Sequence, residues 1–175
     1  SQVWKYREDI RKMHKLQEQY LFLARHNIHS AEELVGTIAS LTDKKKETSA
    51  EKSRIYKARE RSRELFTAAD EMENLKPAEQ SYRLGDTFFE DEHRKWVALE
   101  QELQAQGYSL EEVQALRRHY KEEYSEVCAK EKVVFRELNT GKAILNSMIP
   151  DSISDGRKTE YNREIIRDRK EQPVR

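Results

Sequence analysis

Two histidines three residues apart, His26 and His29 in LARHNIHSAEELVG, with the acidic doublet Glu32-Glu33 just behind them, come nearest to a metal site in this chain. His-x-x-His does bring two imidazoles together on a helix. A catalytic zinc helix, however, carries His-Glu-x-x-His, and a tetrahedral site draws further ligands from elsewhere. The intervening residues here are Asn27 and Ile28. Asn27 suits a helix C-cap and Ser30 an N-cap, so the local chemistry is that of a turn between two helices. The turn is preferred over a hydrolase built on the two histidines, and no metal or cofactor site is expected.

The other reactive side chains read the same way. His93 beside Glu90, Asp91 and Glu92 reads as a satisfied core histidine next to a solvated acidic face. Cys128 follows Val127 on an apolar stripe and has no positive neighbour closer than Lys130, so it is expected to be a small buried side chain with no base to activate it. The hydroxyls between Thr37 and Ser53 lack a partnering histidine, and no Gly-rich phosphate loop occurs. The chain is therefore not expected to be an enzyme. Trp4, Tyr6, Tyr20, Phe22, Tyr82, Phe88, Phe89, Trp96, Tyr120 and Tyr124 could stack on bases, but most fall at core spacing. The better candidates for phosphate contact are Lys44, Lys45, Lys46, Lys52, Arg54, Lys57, Arg59, Arg61 and Arg63, because long cations along a helix can track a nucleic-acid backbone. Their competing role is a solvated face paired with acids.

Composition says what can position these residues. With 36% apolar against 38% charged residues in 175, the chain can bury only a narrow seam. Five glycines and three prolines leave few obligatory helix stops, and a single cysteine excludes a disulfide framework, which fits a cytoplasmic setting. The opening SQVWKYREDI has no apolar signal core and no 18-residue apolar run spans a membrane. Lys and Arg balance Asp and Glu at 33 each, yet residues 43–69 carry nine bases against five acids and residues 70–112 four against twelve. Adjacent antiparallel helices of those opposite signs would be helped to find their register.

Apolar positions at spacings of three and four mark the helices. The first runs over about 5–26 with a stripe of Ile10, Met13, Leu16, Tyr20, Leu23 and Ala24. Ser30-Ala31-Glu32-Glu33 is a capping box that opens a second helix over 30–74, with Thr42 to Ser49 as the place where it would break. Pro77 disfavours helical geometry at Lys76, so a third helix is placed at 77–106, closed by Gly107. Ser109-Leu110-Glu111-Glu112 is a second capping box and opens the last helix, 110–147. The fold class is all-α: an elongated antiparallel helical bundle with coiled-coil character over 1–148, followed by a charged tail over 149–175.

The order of these segments resembles a known family. The run KMHKLQEQYLFLARHNIHSAEELVGTI (Lys12 to Ile38), a long charged helix, SYRLGDTFF and a final RHYKEEYSEVCAKEKVVFRELNTGKAIL resemble the helical C-terminal region of bacterial relaxase and mobilization nucleases of conjugative or mobilizable elements. The resemblance covers roughly residues 5–148. In that family a separate N-terminal domain carries the nicking tyrosine and a histidine-held metal, and neither is present here. The resemblance implies a non-catalytic module whose partners are relaxosome or coupling proteins, with weak, non-specific DNA contact beside the nick. The alternative is a structural coiled-coil adaptor that forms a homodimer and spaces other domains without touching nucleic acid. No membrane association is expected of either.

Overall fold

The computed structural model describes residues 2–149 together with Arg163. These residues form an all-α helical bundle: α1 (Gln2–Arg25), α2 (Ala31–Arg61), α3 (Arg63–Arg83), a short 3-10 turn (Thr87–Phe89), α4 (Glu90–Ala105) and α5 (Leu110–Ser147), with no strand among them. The tail expected over 149–175 lies, apart from Ile149 and Arg163, outside the described residues.

One device ends α1, α3 and α4. A residue at positive φ follows each helix: Asn27 (51°), Gly85 (101°) and Gly107 (85°). The amide after it reaches back to the carbonyl five residues earlier, from Ile28 to Leu23 at 2.9 Å, Asp86 to Ser81 at 3.1 Å and Tyr108 to Leu103 at 3.0 Å. This is the Schellman pattern, which satisfies carbonyls that the helix end leaves open. New helices then start on capping boxes. The Glu33 amide donates to the Ser30 hydroxyl at 3.1 Å while the Glu33 carboxylate accepts from the His29 amide at 2.7 Å. At the second box the Glu112 amide donates to the Ser109 hydroxyl at 3.2 Å and the Glu112 carboxylate accepts from the amide of Ser109 itself at 3.0 Å.

The expected boundary at residues 74–77 is wrong. α3 continues through Pro77 to Arg83, and the connection falls at Leu84-Gly85-Asp86, where the Asp86 side chain accepts from the Phe88 amide at 3.1 Å. A proline in a helix interior removes one amide and crowds the carbonyl four residues back, at a cost of about 3 kcal/mol. Burial of Leu65, Ala68, Ala69 and Met72 before Pro77 and of Glu79 after it holds the helix on both sides. The expected helix over 30–74 is instead interrupted at Ser62, whose backbone sits at φ −92°, ψ 7° and whose hydroxyl turns back to the Ala58 carbonyl at 3.3 Å. The polar stretch Thr42 to Arg54 stays helical. Thr42 and Thr48 satisfy their hydroxyls within the helix, on the carbonyls of Ile38 (2.8 Å) and Lys44 (3.0 Å).

The chain divides into two compact units, one of residues up to Ser49 together with those from Ala129 onward, the other Ala50–Cys128. The first unit has a core of Phe22, Ile28, Leu34, Val35, Ile38, Leu41, Leu138, Ile144 and Leu145. Three of its helices meet closely at Gly141 of α5, where an added Cβ would lie 3.0 Å from Phe22 Cζ and 3.1 Å from Ile38 Cγ1. The second unit is built on Leu65, Ala68, Ala69, Met72, Trp96, Leu103 and Val113. There Arg117 fastens α5 to α3: its guanidinium donates to the Asp70 carboxylate at 2.7 Å and the Phe66 carbonyl at 2.8 Å, and lies 5.0 Å from the centre of the Phe66 ring. Each fully buried Leu, Ile or Phe contributes roughly 1.5–3 kcal/mol, so both narrow cores depend on a few side chains.

Candidate interaction surface

The two histidines of the opening motif are parted by the turn. His26 sits on the Phe22 ring, with centroids 4.5 Å apart, and its Nε2 donates to Glu137 of α5 at 2.6 Å. Arg25 donates to the other oxygen of the same carboxylate. His29 points elsewhere and donates to the Asn27 side-chain oxygen at 2.8 Å. Burial raises the Glu137 carboxyl, but the bonds from His26 and Arg25, with their charges, outweigh it and hold it below the ordinary carboxylate range. The pair is thus a helix clamp plus a turn residue.

The second unit repeats the arrangement. His93 Nδ1 donates to Glu79 at 2.7 Å, Arg83 Nε donates to the same carboxylate at 2.8 Å, and Tyr82 stacks on the His93 ring at 4.1 Å. Glu79 is only 3% exposed. Burial again pushes its carboxyl up, and the His93 and Arg83 hydrogen bonds and charges bring it below the ordinary value. The acids beside His93 do not join it, Glu90 pairing instead with Arg94 at 3.0 Å. Neither Glu79 nor Glu137 stood out in the sequence. Glu79 carried a signal all the same: it falls seven residues after Met72, at a core position of the α3 stripe. Cys128 is half-buried on α5. Among the described residues no group of three or more His, Cys, Asp or Glu is placed to hold a metal ion.

The basic set is not gathered onto one face. Lys44, Lys45 and Lys46 are consecutive on α2, so they point about 100° apart. Lys45 lies over the Phe135 ring at 5.1 Å and Lys52 over the Tyr124 ring at 5.8 Å, both against α5. Lys44, Lys46, Arg54, Lys57, Arg59 and Arg61, on α2, and Arg63, the first residue of α3, are exposed.

The apolar stripe of α1 does not enter the core of its unit. Its members Ile10, Met13, Leu16 and Tyr20 are 40%, 69%, 64% and 71% exposed, and Val3, Trp4, Tyr6 and Leu21 are open as well. Every residue from Val3 to Glu18 is exposed. The reason is rotational. α1 is held to its own unit by Phe22 and His26, and at about 100° per residue those two lie nearly opposite the line Val3, Tyr6, Ile10, Met13, Gln17, Tyr20. Single exposed apolar side chains are ordinary, whereas a contiguous line over five turns of helix marks a contact surface.

Enclosed sites compete poorly with that surface. A cleft where Met72, Trp96 and Leu103 meet the charged side chains Arg83, Glu100 and Glu111 holds about 200 Å³, and two more open ones about 260 Å³ each, all below the roughly 300–1,000 Å³ of small-molecule pockets. Among the described residues no helix is long and apolar enough to cross a membrane. Comparison of the chain with protein-family models, with curated proteins and with solved structures gives no match.

Proposed function

We propose that this chain is a non-catalytic helical module that works by protein–protein contact through the outer face of α1. The observation that carries this is the exposed stripe Val3, Tyr6, Ile10, Met13, Tyr20, turned away from the residues that bind α1 to its own unit. An isolated helix of about 12–15 residues is marginal in water, and helices in proteins owe most of their stability to packing of an apolar face. The segment Val3–Glu18 makes no such packing within the described chain, and a partner supplies it. The resemblance to the helical region of relaxases supports a place in DNA-mobilization machinery, with relaxosome or coupling proteins as partners and DNA contact as an auxiliary role. The adaptor reading shares the α1 surface and dispenses with DNA.

The test is a photo-crosslinking amino acid placed at Met13, with Lys15 on the opposite side of α1 as the control, in cells that make the full chain. A covalent adduct with any polypeptide at Met13, and none at Lys15, is expected. Equal labelling at both positions, or none at Met13 while the chain remains helical, overturns the proposal.

A further inference from the structure

We infer that the outer face of α1 pairs in parallel and in register with α1 of a second copy of this chain. The inference rests on the reading of α1 as a contact surface and supplies its occupant. Spacings of three and four run without a break through Val3, Tyr6, Ile10, Met13, Gln17, Tyr20 and Ala24, which places Val3, Ile10, Gln17 and Ala24 at the a positions of a heptad and Tyr6, Met13 and Tyr20 at d. β-Branched Val3 and Ile10 at a are the side chains that two-stranded parallel coils carry there, with Tyr6, Met13 and Tyr20 standing at d in place of leucine. Gln17 at a is the polar exception that fixes register, because a side-chain amide has both a donor and an acceptor and so complements its own copy.

The flanks choose the direction. In a parallel pair, each g residue meets the e residue five positions on in the partner. Asp9 then meets His14, whose ring nitrogen can donate to the carboxylate, and Leu16 meets Leu21. An antiparallel pair that keeps the same a and d contacts sets Arg7 against His14 and leaves Asp9 against Leu16. Phe22 sits at f, opposite the seam, so the contacts that hold α1 to its own unit do not compete with the dimer. Tyr6 and Tyr20 are 72% and 71% exposed, so each has about 70% of the roughly 150–250 Å² of a buried aromatic still to cover. With Val3, Ile10, Met13, Leu16 and Leu21 the seam approaches the roughly 800 Å² per partner of a standard interface.

Sedimentation and cysteine crosslinking of the full chain test this, in a Cys128→Ser background. Val3→Cys should form a disulfide-linked dimer under mild oxidation, and sedimentation should show a dimer. Ile10→Lys with Met13→Lys should raise the dimer dissociation constant at least roughly 100-fold, since two buried apolar side chains are lost. Glu8→Lys, at f, should not change it. A disulfide that forms only when Val3→Cys and Tyr20→Cys chains are mixed overturns the parallel arrangement. A monomer in sedimentation, with Met13 crosslinking to a different polypeptide, overturns the second copy and leaves the contact surface standing. A monomer with no adduct at Met13 removes both.

Discussion

Replacing Gly141 with alanine sets two effects of similar size against each other where α5 packs closely on Phe22 and Ile38. In a helix interior, alanine is favoured over glycine by about 1 kcal/mol, because glycine loses more backbone freedom on folding. The new methyl, however, would sit 3.0 Å from Phe22 Cζ and 3.1 Å from Ile38 Cγ1, and both side chains are fully buried. Neither has solvent to retreat into. Phe22 is further pinned by His26, which is bonded to Glu137. Overpacking of this kind costs about 1–3 kcal/mol, so the expected net is a loss of roughly 1 kcal/mol. Urea unfolding followed by far-ultraviolet circular dichroism reads it as a lower midpoint at unchanged slope. Phe22→Leu removes the atom nearest the new methyl but leaves Ile38 Cγ1 at 3.1 Å, so in that background Gly141→Ala should cost measurably less than in the unaltered chain. That relief is the specific mark of a steric cause. If Gly141→Ala raised the midpoint in the otherwise unaltered chain, the close approach of the three helices would not be a constraint and the reasoning would be refuted.

Glu79 and Glu137 are held below the ordinary carboxylate range, so the stability each contributes is fully present above the unfolded value of about 4.3 and is lost as pH falls through the folded value. Urea midpoints should therefore decline below about pH 4.3, and Glu79→Gln should flatten that decline; an unchanged acid limb would remove Glu79 from the linkage. Pro77→Ala should stabilise the chain by up to about 3 kcal/mol by restoring an amide to α3, and a loss of stability would contradict the cost assigned to the ring. His26→Ala should cost about 1–2 kcal/mol and His29→Ala under about 0.5, since only His26 joins two helices; the reverse order, or stoichiometric zinc lost in the double variant, would restore the metal reading. If the basic set touches DNA, affinity should be no better than roughly micromolar at physiological salt. Charge reversal of Lys44, Lys45 and Lys46 should then reduce the salt slope by about two, Lys45 being engaged with Phe135, and no mobility shift at low salt would exclude DNA.

Much of the fold is written locally in the sequence. Ser30 and Ser109 with their glutamates, Asn27 and Gly107 all sit where the structure uses them, because caps depend on residues within one turn of each other. Pro77 misled for the opposite reason. Its local preference is against a helix, and what overrides that preference is burial of Met72 and Glu79, which no local signal shows. The true connection was available as Gly85-Asp86, a left-handed cap followed by a side chain that caps the next turn. The clamps on Glu79 and Glu137 were not legible as pairs, because each joins residues far apart in the chain: His93 of α4 reaches Glu79 of α3, and His26, in the turn after α1, reaches Glu137 of α5.

The stripe of α1 shows where periodicity stops being informative. An apolar line at spacings of three and four says that something covers that face, not whether the cover is the same chain. What decides it is angular: Phe22 and His26 take α1's own contact to one side and leave the a and d positions on the other. Composition adds a second constraint. Tyr, Val and Ile along the stripe are weaker helix formers than Leu or Ala. The N-terminal half of α1 is therefore poor at holding itself helical, and on the proposed pairing its order and its partner are one equilibrium: pairing would cover the apolar face and at the same step supply the packing that keeps the segment helical.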